Sequence, residues 1–173
     1  MRTGTVAAAT LVVIAAVSGQ AFAQNEHAIE PGKVEITPYV SMGSPGASRI
    51  GTAITFPVTS SVALEAEVGY RRGEGNIHAL SSSLNGLYFT PRLGRLFPYV
   101  AGGIGLEEYG SPVVLPGVPG ILTRPGLRLT MNAGGGIKVP MSDKLGFRTD
   151  ARWFKSAGRQ GAEHWRVNQG ITF

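Results

Sequence analysis

LRLTMNAGGGIKVPMSDKLGFRTDARWF, residues 127–154, reads as a single hairpin. In its first half Leu127, Leu129, Met131, Ala133, Gly135, Ile137 and Val139 alternate with Arg128, Thr130, Asn132, Gly134, Gly136 and Lys138. In its second half Leu145, Phe147, Thr149, Ala151 and Trp153 alternate with Gly146, Arg148, Asp150 and Arg152. A period of two over this length means strand, because successive side chains point to opposite faces. The segment 140–144 between the halves is a short polar turn, and Pro140 ends the ladder because it has no N–H.

The two faces differ more than in an ordinary sheet. One carries no charge; the other carries Arg, Asp, Asn, Lys and repeated Gly. That suits a sheet with its apolar face outward and its charges enclosed. A closed barrel in a bilayer requires this arrangement, since lipid cannot satisfy an open edge. A half-buried hairpin of a soluble sandwich fits the alternation too.

Composition narrows the choice. The chain has 173 residues, 25 glycines, 11 prolines and no cysteine. One domain is the default at this length. Much glycine and few charges argue against a helical bundle. The net charge of +5 is not a nucleic-acid footprint, because no Lys/Arg run or aromatic-interleaved basic stripe accompanies it. Without cysteine there is no disulfide, thiol redox or thiolate metal chemistry. No His/Asp cluster stands at ligand spacing, so neither a metal nor a cofactor is expected.

Residues 1–23 read as a secretory signal peptide. Arg2 supplies the positive start, 6–17 the apolar run, and Ala21-Phe22-Ala23 the small-x-small cleavage pattern. No cysteine at the cut excludes a lipoprotein anchor. Residues 24–33 then form a short periplasmic tail, and 34–173 the barrel domain. No later stretch holds the 18 apolar residues of a membrane helix.

The remaining strands follow from the same alternation. Strand 1 spans 34–42, with Val34, Ile36, Val40 and Met42 on one face; Pro38 is awkward there and suggests a start near Thr37. Strand 2 spans 50–56. Strand 3, 62–71, puts Val62, Leu64, Ala66, Val68 and Tyr70 outward against Glu65, Glu67 and Arg71 inward. Strand 4 lies within 78–90, with Leu80, Leu84 and Tyr88 outward; Leu87 and Phe89 fit this register badly and suggest a bulge. Strand 5 spans 97–107, a long loop 110–126, the opening hairpin supplies strands 6 and 7, and strand 8 spans 164–173. The fold class is therefore all-β, an eight-stranded antiparallel up-and-down transmembrane β-barrel, whose interior is just filled by side chains.

Three further features bear on this reading. Connections after strands 2 and 6 are short, that after strand 4 is moderate and that after strand 5 is long, a fair match to alternating turns and external loops, although those after strands 1 and 3 are not long. Aromatic residues sort into two belts: Tyr70, Trp153 and Trp165 at the external end, and Phe56, Tyr88, Phe97, Phe147 and Phe173 at the periplasmic end. Inward charges balance, with Glu35, Glu65, Glu67, Glu107 and Asp150 against Arg128, Lys138, Arg148, Arg152 and Arg166. Glu65 and Glu67 should pair with bases of strands 6 to 8, chiefly Arg148, Arg152 or Lys138, bracing and plugging the lumen.

The runs PYVAGGIGL at 98–106, NAGGGIKVPMSDKLGFRTDARWF at 132–154 and the terminal WRVNQGITF resemble the small outer-membrane β-barrel proteins, the OmpA-like and OmpX-like eight-stranded domains. The resemblance implies a barrel integral to the Gram-negative outer membrane, in contact with its lipid and lipopolysaccharide. It implies that the terminal Phe173 is read by the barrel assembly machinery. Family functions are diverse, so fold and location follow better than activity. The sequence ends at strand 8, so a peptidoglycan-binding segment is not expected.

A structural or interaction role carried by the external loops is the leading functional reading, with no enzymatic activity. The 110–126 loop is the most unusual surface, and Arg71, Arg72, Arg124, Lys155 and Arg159 at the external rim suit lipopolysaccharide phosphates. A lipid-modifying enzyme would need a Ser–His–acid set; His27, His78 and His164 form none that can be recognised. A small channel is disfavoured by charged side chains crossing a narrow lumen, and a soluble ligand-binding barrel by the inward Arg and Glu.

Overall fold

The computed structural model describes residues 29–43, 48–72, 78–113, 122–157 and 163–173. Residues 1–23, read above as a signal peptide, and 24–28 of the segment read as a tail lie outside them. Eight strands follow one another: β1 (Glu35–Gly43), β2 (Arg49–Pro57), β3 (Val62–Arg72), β4 (His78–Phe89), β5 (Phe97–Val113), β6 (Leu122–Pro140), β7 (Gly146–Ser156) and β8 (Glu163–Thr172). Each pairs antiparallel with the next, and β1 closes on β8 with Tyr39 opposite Gly170. Closure removes both sheet edges.

Both termini of the barrel lie at one end, the terminal end, with the three turns that join β2 to β3, β4 to β5 and β6 to β7. These turns are tight. Val58 and Thr59 N–H both donate to the Val62 carbonyl. Leu93 and Leu96 pair around Gly94, whose φ of 63° favours glycine. Met141 and Ser142 N–H both donate to the Leu145 carbonyl. The opposite end is the loop end.

Alternation is continuous around the wall. Val40, Ile50, Leu64, Val68, Leu84, Ile104, Met131 and Trp153 are exposed, while Thr37, Glu65, Asn85, Asn132, Asp150 and Arg166 are buried. Burial in this barrel therefore means facing the lumen. A folded domain in water hides most of its large aliphatic side chains. This one encloses its carboxylates and arginines instead.

Four sequence expectations need correction. Strand 1 starts at Glu35 rather than near Thr37; Pro38 sits opposite Thr52 and points outward without breaking the ladder. No bulge interrupts β4, whose register with β3 runs unbroken from Val62↔Tyr88 to Arg72↔His78. Leu87 and Phe89 are simply inward. The 110–126 stretch is not all loop: β5 and β6 stay paired out to Val113↔Leu122, leaving 114–121 between them. Phe97 is 4% exposed and faces the lumen, so it does not belong to the outer aromatic belt. Parity requires this, because Val100, Ile104 and Leu106 face outward on the same strand.

The inward apolar side chains gather at the terminal end. Ala63, Leu87, Phe89, Phe97, Tyr99 and Ala101 form one buried cluster, and Ile29 joins it from outside the strands. Residues 29–33 fold under the barrel: Lys33 N–H donates to the Glu30 carbonyl, and Gly32 N–H reaches the Pro57 carbonyl. Ile29 is 1% exposed, so the segment closes part of the mouth with an apolar side chain.

Candidate functional site

The polar filling of the lumen lies above that apolar floor. Strands β3 and β7 stand four apart in a ring of eight, on opposite walls, and their side chains meet in the middle. Glu65 on β3 accepts from Arg148 Nη1 and, at 2.8 Å, from Arg152 Nη2, both on β7. Asn85 Nδ2 adds a third donor to Glu65 at 3.2 Å. Asp150, between the two arginines, accepts from Arg152 Nε at 3.1 Å, Asn168 Nδ2 at 2.9 Å and the Tyr99 hydroxyl at 2.7 Å. Arg148 Nε donates to that same hydroxyl at 2.7 Å, and its guanidinium lies 4.8 Å from the Tyr99 ring centre.

Other pairs cross the barrel at different heights. Lys138 on β6 reaches Glu35 on β1 at 2.5 Å near the terminal end. Glu67 on β3 lies 3.4 Å from both Arg152 and Arg166. Arg49 on β2 reaches Glu107 on β5 at 2.6 Å near the loop end. Buried charges persist only when paired and hydrogen-bonded; each of these charges meets an opposite charge across the lumen, and the Lys138–Glu35 pair is hydrogen-bonded as well.

Of the ten residues expected in this network, nine are buried or half-buried in the lumen; Arg128 is exposed, although it lies on the inward face opposite Glu107. It lies beyond Thr130↔Ser156, the last pair between β6 and β7, where β5 and β6 rise above their neighbours. Lys138 meets Glu35 rather than Glu65 or Glu67. Arg49, Tyr39, Tyr99 and the Asn85–Asn132 pair were not singled out in the sequence. Arg49 sits one residue before the strand as read from alternation, and a buried tyrosine looks like any other aromatic in a strand.

Tyr39 illustrates how glycine shapes the interior. Its hydroxyl donates to Glu67 at 2.9 Å. Its ring lies over Gly51, where a Cβ would collide with it, and a Cβ at Gly69 would fall 2.9 Å from its hydroxyl. The bare backbone of β2 and β3 thus makes room for one large side chain from β1. Tyr39→Phe should lower unfolding free energy by about 1.5–3 kcal/mol, the worth of a hydrogen bond to a charged group; urea unfolding in lipid vesicles measures it, and an unchanged midpoint would show that this bond is not a stabilising one.

Two spaces border the network. A void of about 10 Å³ lies between Tyr39, Glu67, Arg152 and Asn168, near the volume of a single water. A cavity of about 810 Å³ opens at the terminal mouth beside the Lys138–Glu35 pair, walled by Ile29, Lys33, Lys144 and Phe173. No His/Cys/Asp/Glu group among the described residues is placed to hold a metal ion. His164 lies in the lumen, stacked on Phe154 with ring centres 5.1 Å apart, and its Nε2 is 3.9 Å from Glu107. The side chains of Arg72, His78, Arg124 and Arg159, and all of His27, lie outside the described residues.

On the outer wall, Phe56, Tyr88 and Phe173 are exposed toward the terminal end, with Phe147 half-buried. Tyr70, Trp153 and Trp165 are exposed toward the loop end, the two tryptophans directly opposite each other. Between these belts the wall is mainly aliphatic, with Thr52, Ser82, Thr149 and Gln169 as its polar members.

The N-terminal β-barrel domain of Pseudomonas aeruginosa OprF superposes with a TM-score of 0.64 at 19% identity, over 81% of this chain and 96% of that one. This is the fold of the small outer-membrane barrels. Neisserial surface protein A matches with a TM-score of 0.58 at 9% identity, covering 80% of this chain and 92% of its own. The outer membrane enzyme PagL matches at 0.51 and 16% identity, over 80% and 98%. No protein-family model matches the sequence, and no curated protein matches it. At these identities the likeness speaks for the eight-stranded barrel, which a binding protein and an enzyme alike can use.

Proposed function

We propose that this protein is an integral outer-membrane barrel with a structural or interaction role carried by its loop end, its lumen closed to solutes. The observation that carries the reading is the Glu65–Arg148–Arg152–Asp150 cluster, which joins opposite walls across the centre. An eight-stranded barrel has an interior that side chains can fill, and here arginines and carboxylates fill it. The exposed aliphatic band and its aromatic belts suit hydrocarbon with an interface on either side. With short turns on the periplasmic side, as is usual for such barrels, the terminal end faces the periplasm and the loop end the outside. On this orientation Arg71 and Lys155 stand at the outer rim, near lipopolysaccharide phosphates, and Phe173 closes the strand offered to the assembly machinery.

Planar-bilayer recordings of the refolded protein test the closed lumen. The expected record is a flat baseline or brief small events. Large, stable, reproducible steps would mean that the cluster opens readily, and would favour a channel.

A further inference from the structure

The charges inside the barrel do not balance at every height. In the middle and toward the terminal end, Glu35, Glu65, Glu67 and Asp150 face Lys138, Arg148 and Arg152. Toward the loop end, among the described residues, Arg49, Arg71 and Arg166 face one further buried carboxylate, Glu107. Glu67 reaches Arg166 only at 3.4 Å while also meeting Arg152 and accepting the Tyr39 hydroxyl. Two like-charged pairs sit directly opposite each other across neighbouring strands: Arg49 with Arg71, and Arg152 with Arg166. Such juxtapositions are unfavourable unless an anion lies between them; Glu67 meets both arginines of the second pair at 3.4 Å, and Glu107 meets Arg49 of the first at 2.6 Å.

Several polar side-chain atoms there make no hydrogen bond among the described residues. Arg71 Nε, Arg166 Nε and Nη1, His164 Nε2 and Ser41 Oγ are buried without a hydrogen bond. Arg166 is 3% exposed, and its guanidinium is fixed 3.7 Å from the centre of the Phe154 ring, the same ring on which His164 stacks. Arg71 is half-buried at the rim and so connects this group to the outside. A rigid set of arginine donors with too little counter-charge is the arrangement that takes a tetrahedral oxyanion by charge-assisted hydrogen bonds.

We propose that the loop-end lumen is a binding site for a phosphate group, held by Arg49, Arg71 and Arg166 with Ser41 and His164 beside it. The group is either inorganic phosphate or a phosphate presented on a saccharide. The site borders the central cluster through Glu67, which lies 3.4 Å from both Arg166 and Arg152.

The test is the unfolding midpoint of the refolded barrel in detergent micelles at fixed ionic strength. Sodium chloride is replaced stepwise by sodium phosphate in one series and by glucose 1-phosphate in another. A saturable rise in the midpoint with either phosphate, absent with sulfate-free chloride alone, is expected. A rise with both ligands means that any phosphate group suffices; a rise with the sugar phosphate alone means that the saccharide is part of the ligand. Arg71→Gln, at a rim position outside the central cluster, should weaken apparent binding at least tenfold, and Arg71→Lys should retain most of it. Line broadening of the phosphate 31P resonance by wild-type protein gives a second reading that does not depend on the variants. No rise and no broadening with either ligand would overturn the proposal, as would an undiminished response in folded Arg71→Gln protein.

Discussion

Glu65→Ala should cost about 3–5 kcal/mol of unfolding free energy, the range for breaking a buried ion pair from one side. Glu65 is the acceptor that Arg148, Arg152 and Asn85 share, so its loss leaves two guanidinium groups in the lumen with fewer oxygens than donors. Asp150 would keep its bonds to both arginines, but it lies on their own strand and ties nothing to β3. The cost should therefore fall on the contact between opposite walls. Urea unfolding in vesicles, followed by the fluorescence of Trp153 and Trp165, measures it. A double variant, Glu65→Ala with Arg152→Met, should recover part of the loss, because the second change removes one of the charges that the first left unpaired. Lys155→Ala is the contrasting control. Lys155 meets Glu163 at 3.1 Å, but both are exposed, and such a pair is worth less than about 1 kcal/mol. Equal losses for Glu65→Ala and Lys155→Ala would show that the lumen is wet enough to screen its charges.

Much of this was legible in the sequence because the barrel reduces structure to parity. Once Val62, Leu64 and Val68 are placed outward, Glu65 and Glu67 must be inward, and the same step places Arg148, Asp150 and Arg152. Parity says nothing about height along the axis or position around it. That is why Lys138 could be set against Glu65 although it meets Glu35, and why Arg128 could be set inside although it stands above the closed wall. Applied more strictly, parity would have placed Leu87, Phe89 and Phe97 inward. Their apolar character runs against the charge that lines the rest of the interior, because part of the terminal end is closed by apolar side chains. The extension of β5 and β6 past Glu107 and Arg128 had little signal, since 110–126 is rich in the Pro and Gly that mark turns. Ile29 gave none at all: one isoleucine before the first strand carries no periodicity.

Leu84→Arg should cost about 2–4 kcal/mol, the penalty for arginine on the lipid face near the bilayer midplane. Leu84 and Leu93 are equally exposed, at 67% each, so exposure alone predicts the same small effect for both. Their depths differ. Leu84 lies mid-strand, opposite Ala66 on one side and Ile104 on the other. Leu93 lies in the terminal-end turn around Gly94, where the same change should cost about 0–1 kcal/mol, as near the interface. Unfolding from lipid vesicles supplies both numbers against one wild-type curve. A surface surrounded by water would tolerate arginine at Leu84 as readily as at Leu93, since neither side chain gives up packing in an interior. Depth-dependent cost at equal exposure is a property of hydrocarbon as solvent, and equal costs at the two positions would remove the membrane from the account of this barrel.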